Sequence, residues 1–180
     1  MALPDWSSSN FAAAQPILDR WADNFGLERS LVYAVVSQES RFNPRAYRAE
    51  PSIGDASYGL TQVLYRTAAG LGYTGTPDGL YDSDTNAQYG LRYLFEMVNR
   101  WGGNLELALS AYNGGLRNGV VTNPDYVTGV LARKEYFDSL VNWSGGTIVY
   151  DSSTSTAGGG ALAAIFLAIG LGWLYQRLRR

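Results

Sequence analysis

The 180-residue sequence contains no histidine and no cysteine. Without them, disulfide bonds, a Ser-His-Asp triad, a Cys-His dyad and zinc sites built from imidazole or thiolate are all excluded. No glycine-rich phosphate loop of the Walker type occurs either. Acid–base chemistry would therefore fall to Asp, Glu, Tyr or Lys, and we expect a carboxyl group to perform it without a cofactor or metal ion.

Excess positive charge is also absent, since the net charge is -2 and the pI is near 5.1. Nucleic-acid binding calls for a basic surface, so we predict no nucleic-acid partner. The 13 Tyr and 5 Trp suit stacking on flat ligand faces such as sugars, although aromatic residues also fill cores. The length suits one domain of ordinary size with appendages.

Residues 31–40 have the apolar spacing of a core-facing helix, with Glu39 one helical period beyond Val35. The pair Asn43-Pro44 should end this helix, because a residue before proline avoids helical geometry. An acid at the end of an apolar helix face is poorly solvated, which raises its pKa. Glu39 is therefore the candidate catalytic acid, although this helix alone favours the interpretation as a surface glutamate in a last turn.

The remaining pattern predicts a mainly α-helical domain over residues 11–143, preceded by a polar arm at 1–10. Residues 43–60 contain several Pro and Gly and should form an irregular loop, with room for short strands. We expect Ser83 or Asp84 to cap the fourth helix. This fourth helix runs to about residue 100, and the other predicted helices cover 11–25, 61–70, 105–112 and 124–140.

Four motifs occur in order along the chain, and their letters and spacing are specific. Residues 38–44 read QESRFNP, 59–62 read GLTQ, 81–94 contain Asn86, Gly90 and Tyr93-Leu94, and 111–115 read AYNGG; Tyr126-Val127 follows. Over residues 15–137 the chain thus resembles the soluble lytic transglycosylase family, peptidoglycan-cleaving relatives of the lysozyme fold. The resemblance implies a lysozyme-like transglycosylase domain that acts on peptidoglycan glycan strands.

By this resemblance, Glu39 is the sole catalytic acid. It would protonate the glycosidic oxygen between N-acetylmuramic acid and N-acetylglucosamine. It would then accept the proton of the muramoyl C6 hydroxyl, which attacks C1 and closes a 1,6-anhydro ring. One carboxyl group suffices because the substrate supplies the nucleophile, whereas ordinary glycosidases need a flanking pair.

The resemblance also implies four substrate-binding positions. Gln62 would bind the substrate or steady the loop near Glu39, and Asn113 would contact sugar. Tyr112 would lie beside Glu39, with its hydroxyl helping to hold the acid. Ser57 would contact the substrate, although Tyr58 places it one residue further from the GLTQ motif than in many members.

Two other departures from the family pattern affect the same region. Thr61 replaces the usual Met of the GLMQ motif, which would remove an apolar wall from a sugar subsite. Residues 48–51 have the character of an insertion. Each site residue also has a structural interpretation: Gln62 as a solvated helix-start residue, Tyr112 as a core tyrosine, and Asn113 as part of a helix stop.

Two alternative functions remain open. A hydrolytic muramidase would need a second carboxylate to activate water, for which Asp55 is the first candidate and Asp82 a weaker one. A non-catalytic module of the same fold would hold glycan or a virion component without cleaving it. Glu39 favours the enzyme, because a binding module has no need of a poorly solvated acid.

The C-terminal part has a different composition. Residues 144–160 are mostly Gly, Ser and Thr and should form a flexible linker. Residues 161–176 are nearly all apolar and predict a single transmembrane helix, since a span needs about 20 such residues. The basic tail 177–180 should stay on the cytoplasmic or inner side, with the catalytic domain on the other. A C-terminal helix packed on the domain or a partner is the alternative.

Small residues recur at every fourth position from Gly160 to Gly172, which predicts self-association of this helix in lipid. Residues 1–10 lack the pattern of a secretory signal peptide. Together with the predicted anchor, this suits a phage protein carried in a virion, in particular one with a membrane, that opens the cell wall at entry.

Overall fold

The computed structural model describes residues 9–140, which fold into a mainly helical domain, as predicted. Short strands and two 3-10 turns, Pro51–Ile53 and Pro77–Tyr81, connect the helices. The helices are α1 (Ser9–Phe25), α2 (Arg29–Ser40), α3 (Tyr65–Gly70), α4 (Ser83–Arg100), α5 (Leu105–Tyr112) and α6 (Pro124–Leu140). The strands are β1 (Tyr47–Glu50), β2 (Asp55–Tyr58), β3 (Val63–Leu64), β4 (Leu116–Arg117) and β5 (Val120–Val121).

Helix α2 lies at the centre of the domain, and every residue from Ser30 to Ser37 is buried. A helix that is apolar on all sides belongs in a core. An aromatic cluster from α1, α2 and α6 surrounds it: the ring centroid of Phe11 lies 5.3 Å from that of Tyr33 and 6.3 Å from that of Phe137. This packing fixes the direction of α2 and therefore the position of Glu39 in its last turn.

The end of α2 is abrupt. Arg41 and Phe42 both have left-handed backbone, with φ of 54° and 60°. The helix thus ends just before Asn43-Pro44, as the proline predicts. The Ser40 hydroxyl donates a hydrogen bond to the Leu60 carbonyl at 2.7 Å, which ties the end of α2 to the GLTQ segment.

Residues 47–64 contain an antiparallel sheet in the order β1-β2-β3, with Tyr47 opposite Tyr58 and Ser57 opposite Leu64. The predicted helix over 61–70 is therefore wrong at its start, because Val63 and Leu64 pair with β2 and the helix begins at Tyr65. Gln62 has a φ of 49°, which interrupts helical geometry at this point. The hairpin formed by β4 and β5 was not predicted.

Helix α4 holds the sheet in place through Asn86, which is fully buried. Its side-chain amide donates to the carbonyls of Tyr58 and Leu80 and accepts from the backbone and hydroxyl of Thr61. The cap of this helix is Asp82, whose carboxylate accepts from Thr85 N at 2.9 Å. The predicted caps are wrong, since Ser83 and Asp84 are already helical.

None of the helices within residues 9–140 is long and apolar enough to cross a membrane. The predicted linker at 144–160, the predicted transmembrane helix at 161–176 and the basic tail at 177–180 lie outside the described residues.

Candidate active site

Glu39 lies in the last turn of α2 and lines a cavity of about 450 Å³. Its side chain is half-buried. The hydroxyl of Tyr126, on α6, donates a hydrogen bond to Glu39 Oε1 at 2.6 Å. One acid is therefore held at the cavity wall by contacts from two packed helices.

Burial raises the pKa of Glu39 from 4.5 to about 7. The hydrogen bond from Tyr126 and the positive charge of Arg48 oppose this rise, and the negative charge of Glu50 adds to it. A carboxyl group with a pKa near neutrality can both donate and accept a proton at physiological pH. The sequence analysis predicted this raised pKa for Glu39.

All of the predicted site residues line the same cavity, which brings together segments from three motifs: Glu39, Ser57, Gln62, Tyr112 and Asn113. Gln62 Nε2 donates to the Gly59 carbonyl at 3.0 Å, so this side chain steadies the GLTQ turn. Asn113 Oδ1 accepts from Asn123 Nδ2 at 2.9 Å. Ser57 is buried, and its hydroxyl donates to Glu50 Oε1 at 3.3 Å.

The Tyr112 hydroxyl has a different hydrogen-bond partner from the predicted one. Its hydroxyl donates to the Thr61 carbonyl at 2.8 Å, and the hydroxyl that holds Glu39 belongs to Tyr126 instead. Burial raises the pKa of Tyr112 well above 10, and the nearby charge of Glu39 adds to this. Tyr112 thus lies beside the acid, as predicted, but its hydroxyl fixes the GLTQ segment.

The side chain of Thr61 also points away from the sugar subsite in which the sequence analysis placed it. It is fully buried, and its hydroxyl donates to Asn86 Oδ1 at 2.8 Å. A Cβ on Gly90 would lie 2.0 Å from the Thr61 hydroxyl, so the side chain fills the space that this glycine leaves on α4. Thr61 therefore joins the GLTQ segment to α4 and does not line the cavity.

Sequence reasoning missed three residues of the site. Tyr126 belongs to a quoted motif, but the motif gave it no partner. Arg48 and Glu50, in the segment interpreted as an insertion, line the cavity from β1. Arg48 Nε donates to Glu50 Oε1 at 2.6 Å, so the two form an ion pair in the lining of the cavity.

The two rival acids have structural partners elsewhere. Asp55 accepts hydrogen bonds from the backbone of Ala56 and from Arg66, with which it forms an ion pair at 3.2 Å. Asp82 caps α4, and its hydrogen bonds to Thr85 lower its pKa. Neither lines the Glu39 cavity. Among the described residues, no group of three acidic side chains is arranged to hold a metal ion.

The family model described as the transglycosylase SLT domain matches residues 16–123 of the sequence. The chain belongs to this family. The matched range includes Glu39, the β1–β3 sheet and the AYNGG motif, whereas Tyr126 follows it by three residues.

Curated relatives include the membrane-bound lytic murein transglycosylase C of Yersinia enterocolitica and that of Serratia proteamaculans. They are 32% and 31% identical to this chain over 114 residues. Each match covers 56% of this chain and 30% of the relative. The chain thus spans less than a third of the length of these relatives.

Two solved structures share the fold. An inactive glutamate-to-glutamine mutant of the lytic transglycosylase Slt from Pseudomonas aeruginosa is 26% identical, with a TM-score of 0.59 over 73% of this chain and 25% of its own. The 70-kDa soluble lytic transglycosylase in complex with bulgecin A is 22% identical, with a TM-score of 0.63 over 79% of this chain and 26% of its own. The domain therefore has the lysozyme-like fold of the SLT family.

Proposed function

We propose that this SLT domain is a lytic transglycosylase that cleaves the glycan strands of peptidoglycan, with Glu39 as its single catalytic acid and base. The observation that carries the proposal is the half-buried Glu39 carboxyl, with a pKa of about 7, at the wall of a cavity. The relatives named as lytic murein transglycosylases support the substrate class. The inactivity of the Pseudomonas aeruginosa glutamate mutant supports an essential glutamate.

In this mechanism the protonated Glu39 carboxyl donates its proton to the glycosidic oxygen as the bond to muramoyl C1 breaks. The resulting carboxylate then accepts the proton of the C6 hydroxyl, whose oxygen forms the new bond to C1. Glu39 ends in its starting protonation state, and no water is consumed. Tyr126 holds the carboxyl throughout, because its hydroxyl can donate to Oε1 in either state.

The remaining predicted residues would bind the sugar. We propose that Ser57, Gln62 and Asn113 supply hydrogen bonds from the sheet side and the α5 side of the cavity. The Tyr112 ring, 5.3 Å from that of Tyr93, would supply an aromatic surface between them. Removing one such contact should weaken binding of the glycan more than it slows the chemical step.

Zymography and product analysis test the enzyme proposal. Wild-type protein should clear peptidoglycan and release muropeptides that end in 1,6-anhydromuramic acid, whereas Glu39→Gln should lose at least about 1000-fold of the rate. Glu135→Gln, which changes an exposed acid on α6, is the matched control and should retain activity. Equal clearing by wild type and Glu39→Gln, or clearing by neither, would mean that Glu39 does not catalyse glycan cleavage.

Hydrolysis is the second candidate function, and Glu50 favours it. This carboxylate lines the Glu39 cavity, where Asp55 and Asp82 do not, so it is the acid available to activate a water molecule. Its ion pair with Arg48 and its hydrogen bond from Ser57 occupy Oε1. Reaction in ¹⁸O-water separates the two chemistries, because hydrolysis gives labelled reducing ends and the transglycosylase reaction gives unlabelled anhydro ends.

We also propose the domain arrangement and the membrane location that the sequence predicts. The arm 1–10 and catalytic domain 11–143 would be joined by the linker 144–160 to a single span at 161–176, which self-associates through its small residues. The apolar composition of this segment supports the proposal. Carbonate extraction of membranes from expressing cells, with a chain truncated after residue 143 as control, tests it: release of both chains would contradict an anchor.

The predicted association with a phage virion is a separate proposal. In a virion with a membrane, the anchored domain would face the cell wall during entry. Mass spectrometry of purified virions tests this, and virions that lack the chain would contradict it.

A further inference from the structure

A chain of side-chain hydrogen bonds joins the end of α5 to the start of α6 and reaches the Glu39 cavity. The buried hydroxyl of Ser110 donates to Asn123 Oδ1 at 2.6 Å. Asn123 Nδ2 in turn donates to Asn113 Oδ1 at 2.9 Å. Asn113 lines the cavity, and the other two residues of the chain do not. Two residues outside the cavity thus act on one residue of its wall.

The direction of this chain decides which end of the Asn113 amide is available to a ligand. An asparagine side chain has an oxygen that accepts and a nitrogen that donates, and the two ends have nearly the same shape. Because Asn113 Oδ1 accepts from Asn123, the nitrogen of the same amide is left to donate. Among residues 9–140, no group accepts a hydrogen bond from Asn113 Nδ2. The amide hydrogens of Asn113 are therefore available to a ligand in the cavity.

Gly115 makes room for the contact between the two asparagines. A Cβ at Gly115 would lie 2.1 Å from Asn123 Cγ, 2.3 Å from its Oδ1 and 2.4 Å from its Nδ2. Gly115 does not have the left-handed backbone of Gly114, so space rather than backbone conformation requires a glycine here. The Asn123 amide therefore lies directly against the turn that follows Asn113, and a side chain at position 115 would displace it.

The backbone of Asn123 is held by α6. Its carbonyl accepts hydrogen bonds from the amides of Tyr126 at 3.1 Å and Val127 at 3.3 Å, in the first turn of this helix. The hydroxyl of Tyr126 holds Glu39 from the same turn. The start of α6 thus contacts two residues of the cavity wall, the acid Glu39 and the sugar-binding candidate Asn113.

We propose that Asn123 is a positioning residue, which fixes the Asn113 amide so that Asn113 Nδ2 donates a hydrogen bond to an acceptor oxygen of the glycan. The inference rests on the proposed function, because it assumes a glycan strand in the cavity. Hydroxyl and N-acetyl oxygens of the sugars are acceptors of this kind. An amide turned the other way would place its own oxygen against the acceptor, so an orientation fixed before binding avoids a lost hydrogen bond and a repulsive contact.

Asn123→Asp reverses the chain with almost no change in shape. The new carboxylate can still accept from Ser110 but cannot donate to Asn113, so the Asn113 amide should turn and present its oxygen to the cavity. For a soluble glycan fragment, KM should rise about 10-fold and kcat should change less than about 2-fold. Aspartate is as favourable as asparagine before a helix, so the free energy of unfolding should stay close to that of wild type.

Two comparisons separate positioning from other causes. Asn118→Asp adds the same charge at an exposed position between β4 and β5 that does not line the cavity, and it should leave KM unchanged. In an Asn113→Ala background, Asn123→Asp should have no further effect on KM, because the residue through which it acts is gone. An unchanged KM in Asn123→Asp alone, an equal rise in Asn118→Asp, or an equal rise in both backgrounds would overturn the proposal.

NMR of the free protein distinguishes this inference from the proposed function, because it measures how fast side-chain amide hydrogens exchange with water. In wild type the Asn113 amide should exchange faster than the Asn123 amide, and Asn113→Ala assigns its signals. In Asn123→Asp, exchange at Asn113 should slow at least about 5-fold, because its nitrogen then donates to the carboxylate. Slower exchange at Asn113 than at Asn123 in wild type would overturn the amide orientation even if the enzyme cleaves glycan. An inactive wild type with the expected exchange would overturn only the proposed function.

Discussion

The helical wall of the Glu39 cavity, formed by Glu39, Tyr112 and Asn113, differs in its electrostatics from the sheet wall, formed by Arg48, Glu50 and Ser57. On the helical wall a single carboxyl group is paired with a neutral hydroxyl, and burial raises its pKa to about 7. On the sheet wall the carboxylate of Glu50 is paired with the exposed guanidinium of Arg48.

This difference separates two roles that a carboxylate can have in one cavity. Among residues 9–140, Glu39 has no cationic hydrogen-bond partner, so it retains a proton near neutrality and can transfer it. Glu50 has its charge balanced and is partly solvated, so it is better suited to adjust the field at Glu39 than to donate a proton. The comparison teaches that the partner of an acid, as well as its position, decides its chemistry.

The largest predicted effect comes from loosening the sheet that carries the sheet wall. Asn86 on α4 makes four side-chain hydrogen bonds, to Tyr58 in β2, to Leu80 and twice to Thr61, so Asn86→Ala leaves several backbone groups unpaired. We expect the free energy of unfolding to fall by about 3–5 kcal/mol. Urea denaturation measures it, with Asn99→Ala on the exposed face of α4 as the matched control. A loss no greater than that of the control would show that Asn86 does not hold the sheet on α4.

The next prediction concerns the free energy of folding that is lost because the Glu39 carboxylate is buried. Because folding raises the pKa of Glu39 from 4.5 to about 7, the cost is absent below about pH 4.5, grows as the pH rises, and is complete above about pH 7. Glu39→Gln removes this cost, so its stability at pH 8 should exceed that of wild type by roughly 3 kcal/mol. At pH 4 the two should be nearly equal. A constant difference across this range in denaturation experiments would contradict the raised pKa.

The two walls also differ in how well the sequence predicts them. The apolar spacing before Glu39 reflects burial of α2 on all sides, and burial is what sequence periodicity records best. Strand β1 is exposed along most of its four residues, so it has no alternating pattern to find. Gln62 has left-handed backbone, so α3 begins later than predicted. The sequence could not predict this, because glutamine has no particular preference for left-handed backbone.

Long-range contacts explain the other misses. Tyr126 and Glu39 are separated by 87 residues, and nothing in the local sequence pairs a particular hydroxyl with a particular acid. The motif resemblance grouped segments that also meet in the structure, since all five predicted residues line one cavity. It assigned the hydrogen bond to the wrong tyrosine, because Tyr112 and Tyr126 both lie close to the acid.

The third prediction concerns the hydrogen bond that Tyr126 donates to Glu39 at the helical wall. Tyr126→Phe removes the hydrogen bond that stabilises the Glu39 carboxylate, so the pKa of Glu39 should rise further. The alkaline limb of the pH–rate profile should move to higher pH, and the maximal rate should fall about 10-fold as the carboxyl loses its orientation. Tyr89→Phe removes a tyrosine hydroxyl outside the cavity and serves as the control. A shift of the limb to lower pH would contradict the assigned contact.

The smallest predicted effect tests whether Arg48 and Glu50 act on Glu39 only through their electrostatic field. Glu50 raises the pKa of Glu39 and Arg48 lowers it, so their removal should have opposite signs. In Glu50→Gln the alkaline limb should move to lower pH, and in Arg48→Gln to higher pH, each by less than about one unit. Both shifts should shrink in high salt, since Arg48 is exposed and its field is screened. If Glu50→Gln instead abolishes cleavage at every pH, the second carboxylate takes part in the reaction, and the hydrolytic mechanism replaces the single-acid one.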